Sequence, residues 1–256
     1  KPGGILIYDG YGIMNPPHNS IWHRVGYVNW GYEAIGRFQN WEQIANYPID
    51  NDRKGNRTVV PGDIMYKDQN NDGVINYLDE RPIGYRVDST PTLNFGINLS
   101  ASWKGFDLAM DWTGSGMTSW NQCYETARPF QNDGNSPDEV LKDAWHLSDI
   151  WDANSPLIPG KYPMIRLNTD ETSAYDKSSY WLHNVTYLKL RNLEVGYTFP
   201  KTWLNKTGIS NLRLFVSGTN LLTLSNLSVM DPECASDNGL DYPPMRVINI
   251  GVNLKF

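Results

Sequence analysis

The sequence predicts an all-β protein, and three observations carry that reading. The first is the last strand: in residues 246–256, Ile248, Ile250, Val252, Leu254 and Phe256 alternate with Asn249, Gly251, Asn253 and Lys255. A period of two over that length is a strand with one oily and one wet face. The second is that the same alternation recurs in several other segments, and the third is that the connections between them alternate between very short and very long. About ten residues is what a tilted strand needs to cross a bilayer. Taken alone, the last strand fits a membrane barrel and the edge of a soluble sandwich equally well.

Composition narrows the classes. Of 256 residues, 40% are hydrophobic and 20% charged, with ten Trp and fifteen Tyr. No apolar run is long enough for a membrane helix, so any membrane crossing is made by strands that close on one another. Gly, Asn, Asp and Pro crowd the stretches between strands, which is turn chemistry. A net charge of −6 argues weakly against a nucleic-acid partner, and no basic cluster offsets it. Cys123 and Cys234 both sit in loop-like sequence, and their spacing does not decide whether they pair.

The elements follow in order. Ile5-Leu-Ile-Tyr8 and the stretch from Trp22 to Phe38 read as one or two strands. In residues 92–103, Leu93, Phe95, Ile97 and Leu99 alternate with Asn94, Gly96, Asn98 and Ser100. After Lys104-Gly105, Phe106, Leu108, Met110 and Trp112 alternate with Asp107, Ala109 and Asp111, completing a tight hairpin. In residues 193–199 the oily set is Leu193, Val195, Tyr197 and Phe199. Leu188 and Leu190 fall on the opposite parity, which predicts a bulge near Asn192. Leu212, Leu214 and Val216 mark one more strand, less cleanly because Phe215 and Leu221 fall on its other face.

The connections are residues 39–90 (an insertion), 104–105, 114–186, 200–211 and 223–245. Short turns on one side and long loops on the other describe a bacterial outer-membrane barrel. Trp103, Phe106, Trp112, Tyr197, Phe199 and Trp203, near strand ends, fit interfacial girdles or, alternatively, a sandwich core. If Phe256 lies at the periplasmic edge, 223–245 is extracellular, 200–211 periplasmic, 114–186 extracellular and 104–105 periplasmic. Length and side agree at each step. Five clear strands and one or two more cannot close a barrel, since the smallest membrane barrels use about eight; the chain is then part of a larger one.

One motif carries explicit chemistry. Asp68, Asn70, Asp72, Asn76 and Asp79 fall at positions 1, 3, 5, 9 and 12 of a calcium-type loop, with Gly73 at 6 and the Val74 carbonyl at 7. A hard cation needs several converging oxygens, and this spacing supplies most of them. Asp79 stands where such loops carry Glu, Glu80 follows it, and no amphipathic helices flank the segment, so an EF-hand is not expected. The alternative is that Asn, Asp and Gly simply make turns here.

Several segments resemble the SusC/RagA family of TonB-dependent transporters. They are Arg24 to Ile49, Pro61-Gly-Asp-Ile-Met-Tyr-Lys-Asp-Gln-Asn-Asn-Asp-Gly-Val-Ile-Asn76, Trp103-Lys-Gly-Phe-Asp-Leu108, Tyr187-Leu-Lys-Leu-Arg-Asn-Leu-Glu-Val-Gly-Tyr-Thr-Phe-Pro200, Leu212-Arg-Leu-Phe-Val-Ser-Gly-Thr-Asn-Leu-Leu222, Asp231-Pro-Glu233 and the last strand. The resemblance runs from about residue 24 to the end, and its specificity lies in the order and spacing. It implies the C-terminal strands of a large, twenty-two-stranded antiparallel transmembrane β-barrel with long extracellular loops. It further implies a Gram-negative outer-membrane location, contact with lipid, a SusD-like lipoprotein partner, a TonB complex engaged through an N-terminal part absent here, and import of glycans or peptides without covalent chemistry.

Three classes remain to be weighed. In the transporter reading, Trp120, Tyr124, Arg128, Phe130, Trp145, Trp151 and Tyr162 of the long loop are candidates for contact with substrate or partner, since flat aromatics stack on sugars and anchor interfaces. Their alternative role is to pack the loop itself. A secreted calcium-containing β-sandwich carbohydrate-binding module explains the aromatics but not the loop asymmetry. An enzyme finds no support: His18, His23, His146 and His183 lack metal spacing, and no nucleophile elbow or phosphate loop occurs.

Overall fold

The computed structural model describes residues 28–85, 91–167, 172–205, 208–228, 230–233, 238–239, 241–242 and 244–256. The strand expected at Ile5-Leu-Ile-Tyr8 and the cysteine Cys234 lie outside the described residues. The chain separates into two compact units. The first takes the described residues of 1–88, 119–184 and 236–240; the second takes those of 89–118, 185–235 and 241–256.

In chain order the strands are β1 (Val28–Gly31), β2 (Ala34–Arg37), β3 (Ile64–Tyr66), β4 (Arg81–Tyr85), β5 (Leu93–Trp103), β6 (Phe106–Asn121), β7 (His146–Leu147), β8 (Leu157–Ile158), β9 (Leu182–Thr198), β10 (Asn211–Ser225) and β11 (Val247–Lys255). The α-helices are single turns: α1 (Trp41–Ala45), α2 (Asp138–Lys142) and α3 (Lys201–Leu204). No described helix is long and apolar enough to cross a membrane.

The second unit is built on an open antiparallel sheet in the order β11-β10-β9-β6-β5. β5 and β6 pair from Trp103↔Phe106 to Leu93↔Gly116. Their turn has φ 49 at Lys104 and φ 90 at Gly105. Two positive φ values make a type I′ turn, whose twist matches that of paired strands. The predicted parities meet across the ladder: Ile97 faces Trp112, Leu99 faces Met110, Leu214 faces Tyr197 and Val252, and Val216 faces Val195 and Ile250. One face of the sheet is therefore continuously apolar, and it is exposed, with Ile250 at 83% and Leu254 at 51%. Among the described residues no second sheet covers it, which a sandwich would require.

The bulge lies at the level expected, with the extra residue on the partner strand. Thr219 pairs with Asn192 but Leu222 with Leu190, so Asn220 and Leu221 oppose Arg191 alone. Asn220 adopts φ 54 to make the shift, a left-handed conformation that asparagine tolerates better than most residues.

Two boundaries differ from expectation. β6 continues through Asn121, where the clear alternation ended at Trp112, and β9 begins at Leu182, so the long excursion spans 122–181 rather than 114–186. The continuation is rich in Gly and Ser, which hides its parity. A Cβ at Gly114 would sit 2.2 Å from the Phe95 ring, so the ring occupies the space the glycine leaves. The insertion at 39–90 is likewise folded, since it supplies β3 and β4, which pair with β2 and β1.

The first unit holds both apolar clusters of buried residues. The larger gathers Tyr32, Ile64, Tyr66, Ile75, Val140, Tyr162, Tyr175 and Trp181; the smaller is Phe38, Ile44 and Val59. Its backbone is tied by buried polar side chains. Asn51, fully buried, accepts from the Tyr66 amide at 3.0 Å and donates to the Ile64 carbonyl at 3.0 Å, acting as an extra rung beside β3. The Tyr66 hydroxyl donates to the Ser173 carbonyl at 2.7 Å. Buried groups of this kind are retained only where each finds a partner.

Candidate functional site

The seven candidate contact residues divide by burial. Trp120, Trp145 and Tyr162 are inside, at 4%, 4% and 2% exposure. Trp120 stacks on His183 at 5.6 Å, and Tyr162 stacks on Trp181 at 6.1 Å. Trp145 lies against Gly62, where a Cβ would come within 2.5 Å of its ring, and the Arg37 guanidinium stands 5.9 Å from it. These faces are used in packing the loop. Arg128 lies over the Tyr175 ring at 5.7 Å. Tyr124, Phe130 and Trp151 are exposed, Trp151 at 90%. Trp151 sits between β7 and β8, directly after the exposed Ile150, which lines a cavity of about 480 Å³ with Leu141, Trp145, Leu147 and Met164.

The calcium-type loop folds as a nest of side-chain-to-backbone bonds. Asp68 accepts from the amides of Asn71 (2.6 Å) and Gly73 (2.8 Å), and Asp72 from that of Val74 (2.9 Å). Those bonds require φ 60 at Asn71 and φ 84 at Gly73. The Asp72 carboxyl is held below its ordinary value, chiefly by the Val74 amide and also by Asn70. Asp79 is fully buried; it accepts from the Gln69 amide (2.8 Å) and, as the N3 residue of a capping box, from that of Asn76 (2.9 Å). An Asp at this position is thus explained by local geometry. Among the described residues no group of three or more His, Cys, Asp or Glu is arranged to hold a metal ion.

Sequence reasoning missed three ionic centres. In the first unit, Asp63 is fully buried; it pairs with Arg166 and accepts from the Val60 amide at 3.0 Å. Burial pushes its carboxyl up, and Arg166 opposes that shift. Close by in sequence, Asp52 receives the amides of Lys54, Asn56 and Thr58 and the Thr58 hydroxyl at 2.7–2.8 Å. Burial raises its carboxyl, but the Thr58 donors and the two other amides outweigh it and bring it down to about 2.

In the second unit, the polar face carries Arg213 paired with Asp107 and with Glu194 (2.6 Å), and Asn192 bonded to Asp111 at 3.2 Å. Nearer the other end of the strands, Lys189 binds Asp231 and Glu233, and Arg191 binds Glu233. A signal for the latter pair was present. Lys189 and Arg191 share the parity of the oily Leu193, Val195 and Tyr197, so either two charges face the oily side or the strand changes phase at this level.

An antiparallel sheet with one exposed apolar face, one charged face and short connections alternating with long ones defines a wall of a membrane β-barrel. Comparison with known proteins agrees. No family model matches the chain. It is 30% identical to TonB-dependent receptor P3 of Formosa agariphila, over 88% of this chain and 22% of that protein. It is 24% identical to TonB-dependent receptor SusC of Bacteroides thetaiotaomicron, over 91% of this chain and 20% of that one. Its fold matches part of the RagAB peptide transporter with a TM-score of 0.57 at 21% identity, covering 90% of this chain and 22% of that one. The chain is therefore a homologue of the TonB-dependent receptors of the SusC kind, and it spans about a fifth of the length of the curated relatives it matches.

Proposed function

We propose that this chain is a wall segment, with its outer loops, of a TonB-dependent outer-membrane importer of nutrients. The observation that carries it is the two-faced sheet: an exposed apolar face suited to lipid, backed by a face bearing Arg213, Asp107, Glu194 and Asn192 suited to a watered lumen. The similarity to SusC and to the RagAB peptide transporter supports glycans or peptides as cargo and a SusD-like lipoprotein as partner, with TonB engaged by another part of the longer protein. Moving cargo through such a wall needs no covalent step, so no residue here is given a catalytic role. Of the seven candidates, the exposed Tyr124, Phe130 and Trp151 are the ones proposed for contact with a partner or cargo.

The test is to delete residues 133–175 in the full-length protein and purify it from outer membranes. Loss of a co-purifying surface lipoprotein, with the barrel still inserted, is expected; an undiminished complex refutes that partner surface.

Calcium at Asp68, Asn70, Asp72, Val74, Asn76 and Asp79 is part of the same proposal. Because hydrogen bonds already close the loop and both Asp79 oxygens are engaged, the cation's contribution is structural and small.

A further inference from the structure

The chain leaving β10 doubles back on the strand it has just paired with. Ser225 is the last β10 residue in register, opposite Tyr187. Asn226 then exchanges two bonds with Thr186: its side-chain oxygen accepts from the Thr186 amide at 2.9 Å, and its own amide donates to the Thr186 carbonyl at 3.3 Å. Only five to seven residues later, Asp231 and Glu233 lie at Lys189 and Arg191, further along β9 in the reverse direction. Continued pairing would have carried the chain away from them.

Four charges fix that return. The Lys189 ammonium is 1% exposed, and its three recorded bonds all go to this segment: Asp231 Oδ1 at 2.7 Å, Asp231 Oδ2 at 2.8 Å and Glu233 Oε2 at 2.8 Å. An ammonium has three protons to donate, so its capacity is met. The other Glu233 oxygen takes Arg191, whose Nε donates to Thr113 Oγ1 at 2.9 Å and whose Nη1 donates to Asn220 Oδ1 at 3.3 Å. The Glu233 amide donates to Asp231 Oδ1 at 2.9 Å, which sets the two carboxylates side by side. Two cations and two anions balance, which permits a lysine to be buried. Beside them lies a cavity of about 420 Å³ whose lining includes Asn94, Thr113, Ser115, Tyr187, Arg191 and Glu233.

We propose that residues 231–233 are an ionic latch that straps the chain after β10 onto the polar face of the sheet, with Glu233 closing one side of the cavity beside Arg191. Beyond Asn226 the bonds described between the strap and β9 join charged groups, so neutralising either side releases it and uncovers the cavity while the strands beneath stay paired. Removing Lys189 leaves three charges that cannot all be matched; removing both carboxylates leaves a buried ammonium that is free to turn to water once the segment lifts. The latch does not depend on what the protein transports.

The test uses the full-length protein in detergent and hydrogen exchange of the amides in 226–233, with those of β10 as internal reference. Lys189→Met and the double variant Asp231→Asn with Glu233→Gln are each expected to speed exchange in the segment at least tenfold and leave β10 unchanged. The same variants, combined with Ser115→Cys and with the native cysteines replaced by serine, should alkylate at least tenfold faster. If Lys189→Met does not fold, the double variant decides alone. Unchanged exchange in 226–233 overturns the latch, as does exchange that rises equally along β10; unchanged alkylation with a released segment overturns the closing of the cavity.

Discussion

Replacing Arg166 by methionine leaves the Asp63 carboxylate inside the first unit without its paired cation, with Arg37 acting on it only through space. Asp63 is fully buried, and Arg166 holds it while also donating to the Thr58 carbonyl at 2.9 Å. Removing one partner of a buried pair costs about 3–5 kcal/mol, because the remaining charge is uncompensated. That corresponds to roughly a hundredfold to a few thousandfold in an opening equilibrium. Hydrogen exchange of the amides in β2 and β3 reads that equilibrium within the full-length protein. Because burial already raises the Asp63 carboxyl, its proton is bound more tightly in the folded state than in the unfolded one. A raised carboxyl lends stability at low pH that is lost as pH climbs through its folded value, so the Arg166→Met defect should shrink on acidification. Adding Asp63→Asn should recover most of the loss at neutral pH. An effect below threefold for Arg166→Met, or a double variant as impaired as the single one, would refute the reasoning.

Three further outcomes follow from the same geometry. Asp52 is depressed from 3.8 to about 2, so its contribution is present above its unfolded value and lost as pH falls from about 4 toward 2; Asp52→Asn should cost about 2 kcal/mol at neutral pH and flatten that acid limb, as read by exchange in residues 50–58. Gly62→Ala places a Cβ at φ 92 and 2.5 Å from Trp145, so the first unit should lose about 2–4 kcal/mol by the same readout, and a neutral substitution would contradict the packing described. Calcium titrated into chelator-treated protein should give a binding heat that Asp72→Ala abolishes; no heat in the parent protein removes the cation from the account.

The sheet was legible because its parity is written locally. Ile248 to Phe256, Leu93 to Leu99 and Phe106 to Trp112 each announce one oily side, and β11 pairs with β10, and β5 with β6, without a slip. The tight turn was legible as Lys104-Gly105, and its positive φ values came only with the structure. The upper half of β6 was not, since Gly114, Ser115, Gly116 and Ser119 carry no apolar signal and their pairing is set by what lies across from them.

Burial of Trp120, Trp145 and Tyr162 was also illegible, because an aromatic in a long loop looks the same whether it faces solvent or a core assembled from distant segments. The ionic centres share that obstacle: Asp63 meets Arg166 across about a hundred residues and Lys189 meets Asp231 across about forty. Asp79 shows the converse, a residue that matched a ligand pattern and whose local geometry is that of a helix cap and loop closure.

In the proposed barrel wall one face of the sheet meets lipid and the other meets water. Single cysteines placed in turn at residues 248–254 of β11, in the full-length protein with its native cysteines replaced and reconstituted into bilayers, test it most directly. Reaction with a membrane-impermeant maleimide and quenching by a lipid-borne nitroxide should alternate with period two: Ile248, Ile250, Val252 and Leu254 quenched and unreactive, Asn249, Gly251 and Asn253 reactive and unquenched. Uniform reactivity along the strand, or the opposite phase, would contradict the account.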